Sequence, residues 1–336
     1  MRIRLTLMPA DKKAILPINY NYYLTSLIYR FIFSSSRDYS SFLHNEGYRI
    51  GKNKKGFKLF TYSMLNGNKY TVKSDIIIFE NAPITWEISS PVDVFLQHLI
   101  TGAFKQGQLI DIGYRGKGKG VEVGVGMGGA VGAKETADIG ETSIAGARFL
   151  IDRVETAPKP EFKEIMRFTC LSPITVSRVY DKTGAGKITD EEEALVNDFT
   201  EALNEDRGEE KGGCIYTGVA DLGCHYIRPW EDGFSEAIEQ NLIKKYKLVH
   251  GKYPDGYSDN TGKSSSKPYF RITIDSNYMN KKSGKITKKI NFKGTEIIGF
   301  MAPFEVTGNP ELIEIGYESG FGEKGSIGCG CVKAVK

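Results

Sequence analysis

Near its C-terminus the chain reads Ser319-Gly-Phe-Gly-Glu-Lys-Gly-Ser-Ile-Gly-Cys-Gly-Cys-Val332. The form is Gly-apolar-Gly, five residues, Gly-apolar-Gly, with Lys324 among the five. A plain turn between a helix and a strand does not need four glycines in paired positions. Glycines let a backbone approach a polyanion closely. Amide hydrogens presented by such a loop suit a polyanion. Gly320, Gly322, Gly328 and Gly330, with Lys324, are therefore candidate binding residues. The flanks place the loop. A helix starts near Pro310 and ends around Gly320, and Cys329–Val335 reads as a final strand.

Upstream, the second half reads as strand Glu164–Ser177, helix Phe234–Val249, and strands Tyr269–Ile274 and Lys288–Val306. The last of these is broken by Gly294 and Gly299. The first half gives the same order. Ile3, Leu5 and Leu7 alternate with Arg2, Arg4 and Thr6, as in a half-buried strand. A helix from Tyr22 to Phe33 carries Leu24, Leu27, Ile28, Phe31 and Ile32 on one face. Ser34–Ser36 and Asp38 break it and start a short second helix that ends at Gly47. Strands at Leu59–Met64, Asp75–Glu80 and Trp86–Ser89, a helix at Val92–Phe104 and a strand at Ala147–Thr156 follow. Each half thus reads β-α-β-β-α-β, so the expected class is α+β with two tandem ferredoxin-like domains. Their boundary is expected near Ala157–Pro160, giving domains 1–156 and 157–336. Glycine-heavy residues 114–146 and acidic residues 181–222 fit neither unit and read as surface insertions.

The chain has 336 residues and a formal net charge of +4, with 45 Lys plus Arg against 41 Asp plus Glu. That length suits about two domains, and 40% apolar residues can build cores. No stretch approaches the ~18 uninterrupted apolar residues of a membrane helix. The N-terminus has no hydrophobic signal core. Five cysteines are too few for a disulfide framework in a chain this long. A soluble, reduced, cytoplasmic protein is expected. The small net charge hides segregation: residues 1–73 carry +10, residues 181–222 carry −8 and residues 235–300 carry +7. Two basic blocks separated by an acidic one suit a polyanion-binding protein with an acidic appendage.

Several motifs fail on context. Gly124-Val-Gly126-Met-Gly-Gly129 and Gly320-Phe-Gly322-Glu-Lys-Gly325 both satisfy G-x-G-x-x-G, but neither sits between a strand and a helix of a βαβ unit. Gly184-Ala-Gly186-Lys187 lacks the Ser or Thr that must follow the lysine of a phosphate loop. Cys214 and Cys224-His225 have the wrong spacing for a zinc site, and Cys329-Gly-Cys331 for a redox pair. Neither a metal nor a cofactor is expected.

The glycine loop closing a second ferredoxin-like unit resembles the signature of the repeat-associated RNA-binding proteins of CRISPR systems. One branch is especially similar, the Cas-six family of CRISPR repeat-processing endoribonucleases. The resemblance runs through Leu-Ile-Tyr-Arg-Phe-Ile near the N-terminus, Phe-Leu-His44, and Lys58-Leu-Phe-Thr-Tyr-Ser. It continues through Arg-Phe-Leu-Ile-Asp-Arg-Val-Glu155, Leu-Ser-Pro-Ile174, Asn-Leu-Ile-Lys-Lys-Tyr246 and Gly-Tyr-Glu-Ser-Gly-Phe-Gly-Glu-Lys324. It covers nearly everything except the two insertions.

The resemblance implies metal-independent cleavage of precursor CRISPR RNA within its repeat, giving 2′,3′-cyclic phosphate and 5′-hydroxyl ends. It also implies a Tyr, His and Lys triad near the N-terminus, at Tyr29, His44 and Lys58. The implied partners are the repeat RNA, CRISPR effector subunits and a second copy of the chain. Two other roles fit the same pattern: a repeat-RNA-binding protein that does not cut, and a structural subunit of an effector complex.

The residues can also be read alone. At ~100° per residue, Tyr29 falls about 130° from the apolar stripe of its helix, on the side of Tyr22 and Ser26. That suits either a ligand-facing or an ordinary surface tyrosine. His44 ends the short helix just before a basic loop carrying Arg49, Lys52, Lys54, Lys55 and Lys58, where an imidazole can reach a bound phosphate. His98, in an apolar helix, reads as structural. His250 ends a basic helix.

Overall fold

The computed structural model describes residues 1–51, 56–114, 145–181, 222–255, 257 and 269–335. Lys52, Lys54, Lys55, most of both insertions and the glycine motifs at 124–129 and 184–187 lie outside the described residues. In chain order the first half holds β1 (Arg2–Pro9), β2 (Lys13–Pro17), α1 (Asn21–Ser35), α2 (Arg37–Ser41) and a π-helical turn (Phe42–Glu46). β3 (Thr61–Tyr62), β4 (Asn66–Gly67), β5 (Tyr70–Lys73), β6 (Ile76–Glu80), β7 (Ile84–Ser89), α3 (Asp93–Gln106), β8 (Leu109–Tyr114) and β9 (Ala145–Thr156) follow. The second half holds β10 (Ile165–Cys170), β11 (Ser177–Asp181), β12 (Leu222–Tyr226), α4 (Phe234–His250) and β13 (Phe270–Ile274). It ends with α5 (Ser276–Lys281), β14 (Thr287–Phe292), β15 (Thr295–Phe300), β16 (Phe304–Gly308), α6 (Pro310–Ser319), a 3-10 turn (Gly325–Ile327) and β17 (Val332–Ala334).

The first sheet runs β3-β7-β1-β9-β8, with β4 also on β7. β1 lies antiparallel between β7 and β9, and β3 pairs antiparallel with β7. The second runs β13-β16-β10-β17, again antiparallel. In both sheets the first and third strands of a β-α-β-β-α-β unit are central, and the second and fourth flank them. This is the ferredoxin-like arrangement twice over.

Local chemistry explains the elements. In β1, Ile3, Leu5 and Leu7 are buried while Arg4 and Thr6 are half-exposed. The α1 stripe of Leu24, Leu27, Ile28, Phe31 and Ile32 is fully buried. α3 lies so close to it that a Cβ on Gly102 would sit 1.6 Å from the Phe31 carbonyl oxygen. Ser36 ends α1 and caps α2, its hydroxyl accepting from the Tyr39 amide. Asn309 caps α6, with Pro310 in the first turn. Phe321 from the glycine loop packs among Phe168, Phe270 and Phe304 of the second core, with ring centroids 5.5–6.1 Å apart.

Three expectations need correction. Lys288–Val306 is not one strand: it forms the β14–β15 hairpin and then β16. Lys293 and Gly294 both have positive φ, 50° and 80°, as a tight two-residue hairpin turn requires. Glu164–Ser177 is likewise split, β10 ending at Cys170 and β11 beginning at Ser177. The connection before Pro17 is itself a strand, β2, which pairs with β6 and not with the main sheet. Both insertions leave from hairpin tips, because the last described pairs beside them are Tyr114–Ala145 and Asp181–Leu222.

Candidate active site

Tyr29, His44 and Lys58 come from three elements and meet at one place. Tyr29 sits in the second half of α1, His44 in the π-helical turn, and Lys58 just ahead of β3. The His44 ring stands edge-on to the Tyr29 ring, with centroids 5.5 Å apart and planes at 78°. The Lys58 ammonium donates to the His44 backbone carbonyl. His44 and Lys58 are half-buried.

The supports are local. Asn45 Nδ2 donates to Ser41 Oγ at 3.2 Å, which turns its amide oxygen toward His44 Nδ1 at 2.9 Å. A neutral His44 donating through Nδ1 keeps its Nε2 lone pair available as a base. The loop between His44 and Lys58 is pinched at its root, where Tyr48 and Phe57 exchange backbone hydrogen bonds of 2.8 Å. Gly56 is required at that root, since a Cβ there would lie 1.7 Å from the Glu46 carbonyl oxygen. Beside Lys58, Leu59 holds a left-handed φ of 52° although 4% exposed. Its carbonyl accepts from the buried Ser90 hydroxyl at 2.7 Å. A left-handed non-glycine residue costs roughly 1–2 kcal/mol, and here it sets how Lys58 leaves the strand.

Tyr29 differs from expectation. It lies off the α1 stripe, yet it is only 8% exposed. The His44 ring and Phe60, at 6.4 Å between centroids, cover it. A helical wheel cannot show this, because both covering groups come from later segments of the chain.

Arg49 is exposed and bonds back to the Glu46 carbonyl at 3.2 Å. Sequence reading missed the β14–β15 hairpin beside this face. It rests on the start of α1, where the Asn291 amide donates to Asn19 Oδ1 at 3.1 Å, Phe292 meets the Tyr22 ring edge-on, and the Lys293 ammonium lies 5.1 Å from that ring's centroid. The signal for it was the basic block of residues 235–300. His98 is structural, its Nδ1 3.0 Å from Ser35 Oγ.

The glycine-rich loop departs from the expected reason for its glycines. Gly320, Gly322, Gly328 and Gly330 all have φ between 80° and 90°, but the space a Cβ would fill holds protein atoms. A Cβ on Gly322 would lie 2.3 Å from the Thr175 carbonyl oxygen, and one on Gly330 2.4 Å from that of Phe321. A Cβ on Gly328 would lie 2.5 Å from the Tyr62 ring. The close approach is to the molecule itself. Asn21 Nδ2 donates to the Ile327 carbonyl at 3.1 Å and Thr61 Oγ1 to that of Cys329 at 2.7 Å, so the loop sits on α1 and β3. Lys324 is half-buried, with a φ of 57°.

Among the described residues, no three of His, Cys, Asp and Glu are grouped so as to hold a metal ion. No helix among them is long and apolar enough to cross a membrane.

Comparison with known proteins gives matches at both ends of the chain. The family model described as CRISPR-associated protein Cas6, N-terminal, matches residues 15–114, and its C-terminal counterpart matches residues 216–334. The CRISPR-associated endoribonuclease Cas6 1 of Methanocaldococcus jannaschii is 23% identical over 336 residues, covering 100% of this chain and 93% of the relative. Among solved structures, a Cas6-related protein from Pyrococcus furiosus superposes with a TM-score of 0.65 at 19% identity, covering 100% of this chain and 98% of that one. A RAMP protein described as binding different RNA substrates superposes at 0.63 with 20% identity, over the full length of both chains. The chain belongs to the Cas6 family of CRISPR-associated endoribonucleases.

Proposed function

We propose that this protein cuts precursor CRISPR RNA within the repeat, without a metal ion, through Tyr29, His44 and Lys58. The observation that carries the reading is that Tyr29 stands edge-on to the half-buried His44 ring while Lys58 donates to the His44 backbone carbonyl. In the reaction a ribose 2′-oxygen attacks the adjacent phosphorus and the bond from phosphorus to the 5′-oxygen breaks. The proton of the 2′-hydroxyl leaves to a base, and the departing 5′-oxygen gains one from an acid. The products are a 2′,3′-cyclic phosphate and a 5′-hydroxyl.

His44 suits the proton transfers, because imidazole accepts and donates protons near neutral pH. Tyr29 stands edge-on to that ring and limits its orientations, placing Nε2 toward the attacking hydroxyl. Lys58 donates to the His44 carbonyl, and its positive charge suits the phosphate oxygens, where negative charge grows in the transition state. In this reading residues 1–156 carry the chemistry, and residues 157–336 supply the glycine-rich loop and the lysine-rich hairpin that extend the RNA-facing surface. Arg49, Lys52, Lys54, Lys55 and Lys324 are proposed to neutralise phosphates along it.

A denaturing gel of the protein with a repeat-containing transcript tests this directly. The expected result is one cut per repeat, cyclic-phosphate and 5′-hydroxyl ends, and undiminished cutting in excess EDTA. RNA that is bound but intact would leave a binding protein, and cutting abolished by EDTA would move the chemistry to another class.

A further inference from the structure

Lys245 lies in the middle of α4, far in sequence from the proposed catalytic residues, and it is 5% exposed. Among the described residues, no carboxylate lies at hydrogen-bond distance of its ammonium. It donates instead to three backbone carbonyls: Gly320 at 2.7 Å, Gly322 at 2.7 Å and Ser319 at 3.4 Å. These are the last residue of α6 and the first two glycine-loop residues whose carbonyls turn inward. Burying a charge is costly unless it is well partnered. A residue that only had to fill this space would be apolar.

The loop gripped by Lys245 also touches the proposed catalytic elements. Asn21 and Thr25 of α1 donate to the carbonyls of Ile327 and Ser326, at 3.1 and 3.3 Å. Gly325 is packed against the Phe60 carbonyl so tightly that a Cβ would lie 2.6 Å from its oxygen, and Thr61 donates to Cys329. Phe60 and Thr61 are two and three residues beyond Lys58, and Tyr29 is one helical turn beyond Thr25.

We propose that Lys245 is a positioning residue: by tying three carbonyls together it fixes the glycine-rich loop, and the loop holds α1 and the Lys58 strand in their reactive arrangement. The proposal rests on the catalytic reading above for its effect on rate, though not for its effect on the loop. A neutral amine has two N–H donors where an ammonium has three, and it lacks the charge that makes such bonds strong. Burial lowers the Lys245 pKa to about 7, with Glu323 opposing that fall. Glu323 is itself held by the Ser177 hydroxyl at 2.7 Å. Of the neighbours on α4 and α6, Tyr246 donates to Glu311, and Glu318 takes the chain's amino terminus and pairs with Lys159. The grip therefore weakens as pH rises through about 7. Global stability moves the other way. With the folded pKa depressed below the unfolded one, the unfolded chain binds more protons between the two values, so this residue's contribution to stability grows with pH.

Two measurements test this. Lys245→Met keeps the length of the side chain and removes its donors. Its single-turnover cleavage rate should be about 10- to 100-fold below wild type below pH 7, with unchanged RNA affinity, and the ratio should shrink above it. A structural role alone would give a ratio that does not change with pH. The second measurement needs neither the variant nor RNA. Hydrogen exchange at the Phe321, Glu323 and Gly330 amides, corrected for intrinsic rates, should speed up by about 5- to 10-fold relative to β13 and β16 amides as pH rises past 7. Uniform exchange across pH overturns the proposal, as does a folded Lys245→Met protein with wild-type cleavage at every pH. A wild-type protein that never cuts would sink the catalytic reading, while the exchange data would still decide whether Lys245 holds the loop.

Discussion

The two halves share a strand order and use it for different ends. In the first half, the connection from the first helix to the second strand carries the π-helical turn, His44, the basic loop and Lys58. In the second half, the connection from the second helix to the fourth strand is elaborated instead, as the glycine-rich loop. One elaboration collects titratable side chains at a half-buried surface. The other carries few titratable side chains, and its paired glycines are packed against the molecule itself. Architecture alone therefore says nothing about which half reacts. The distinction lies in what each connection leaves accessible, and function follows the site and not the fold.

The sharpest way to break this contrast is to remove the imidazole. His44→Ala should lower single-turnover cleavage by about 10²- to 10⁴-fold, while a filter-binding assay shows RNA affinity near wild type. A control change in the second half, Lys252→Ala in the connection after α4, should leave the rate alone, because Lys252 is exposed and pairs with Asp255 nearby. If both variants cut at the wild-type rate, the first half is not the reactive one. Lys58→Ala comes next, with an expected loss of about 10²- to 10³-fold. Lys58→Arg should recover part of that loss, since charge is restored but the reach to the His44 carbonyl changes.

Glycine substitutions probe the other half through stability. Gly322 and Gly294 have the same φ, 80°, but a Cβ meets the Thr175 carbonyl oxygen at 2.3 Å in one and nothing within 4 Å in the other. Gly294→Ala should cost about 1 kcal/mol, the backbone penalty alone. Gly322→Ala should cost about 2–4 kcal/mol, because the carbonyl must also move. Thermal or urea unfolding measures the difference. Equal losses would mean that the glycine-rich loop is not packed as tightly as its contacts indicate.

How much of this could be read in advance follows from the range of each interaction. The helices and central strands were legible because Ile3, Leu5 and Leu7, or Leu24 through Ile32, repeat with a local period. The β14–β15 reversal was only half legible. Gly294 marks a break, but whether a break is a bulge or a turn depends on whether the next segment finds a partner. Tyr29 was read as lying off the α1 stripe and facing outward, yet it is buried, and that burial depends on Phe60 and His44, which periodicity cannot see. The glycine pairs stood out at once, and their purpose did not. An amide that approaches phosphate and one that approaches another carbonyl demand the same residue.

The smallest effect is expected from the acidic stretch. Asp181 and Leu222 form the last described pair of the β11–β12 hairpin, so Asn-Gly in place of residues 182–221 closes it with a standard two-residue turn. No described contact joins that tip to His44, Tyr29 or Lys58, and separated sites behave additively. Single-turnover cleavage should stay within about 2-fold of wild type. Binding should tighten at low salt and converge with wild type at high salt, because removing negative charge matters only where the Debye length is long, about 30 Å at 0.01 M. Lost cleavage in a folded variant would mean that the stretch reaches the reactive half, and the division of labour between the two connections would then be incomplete.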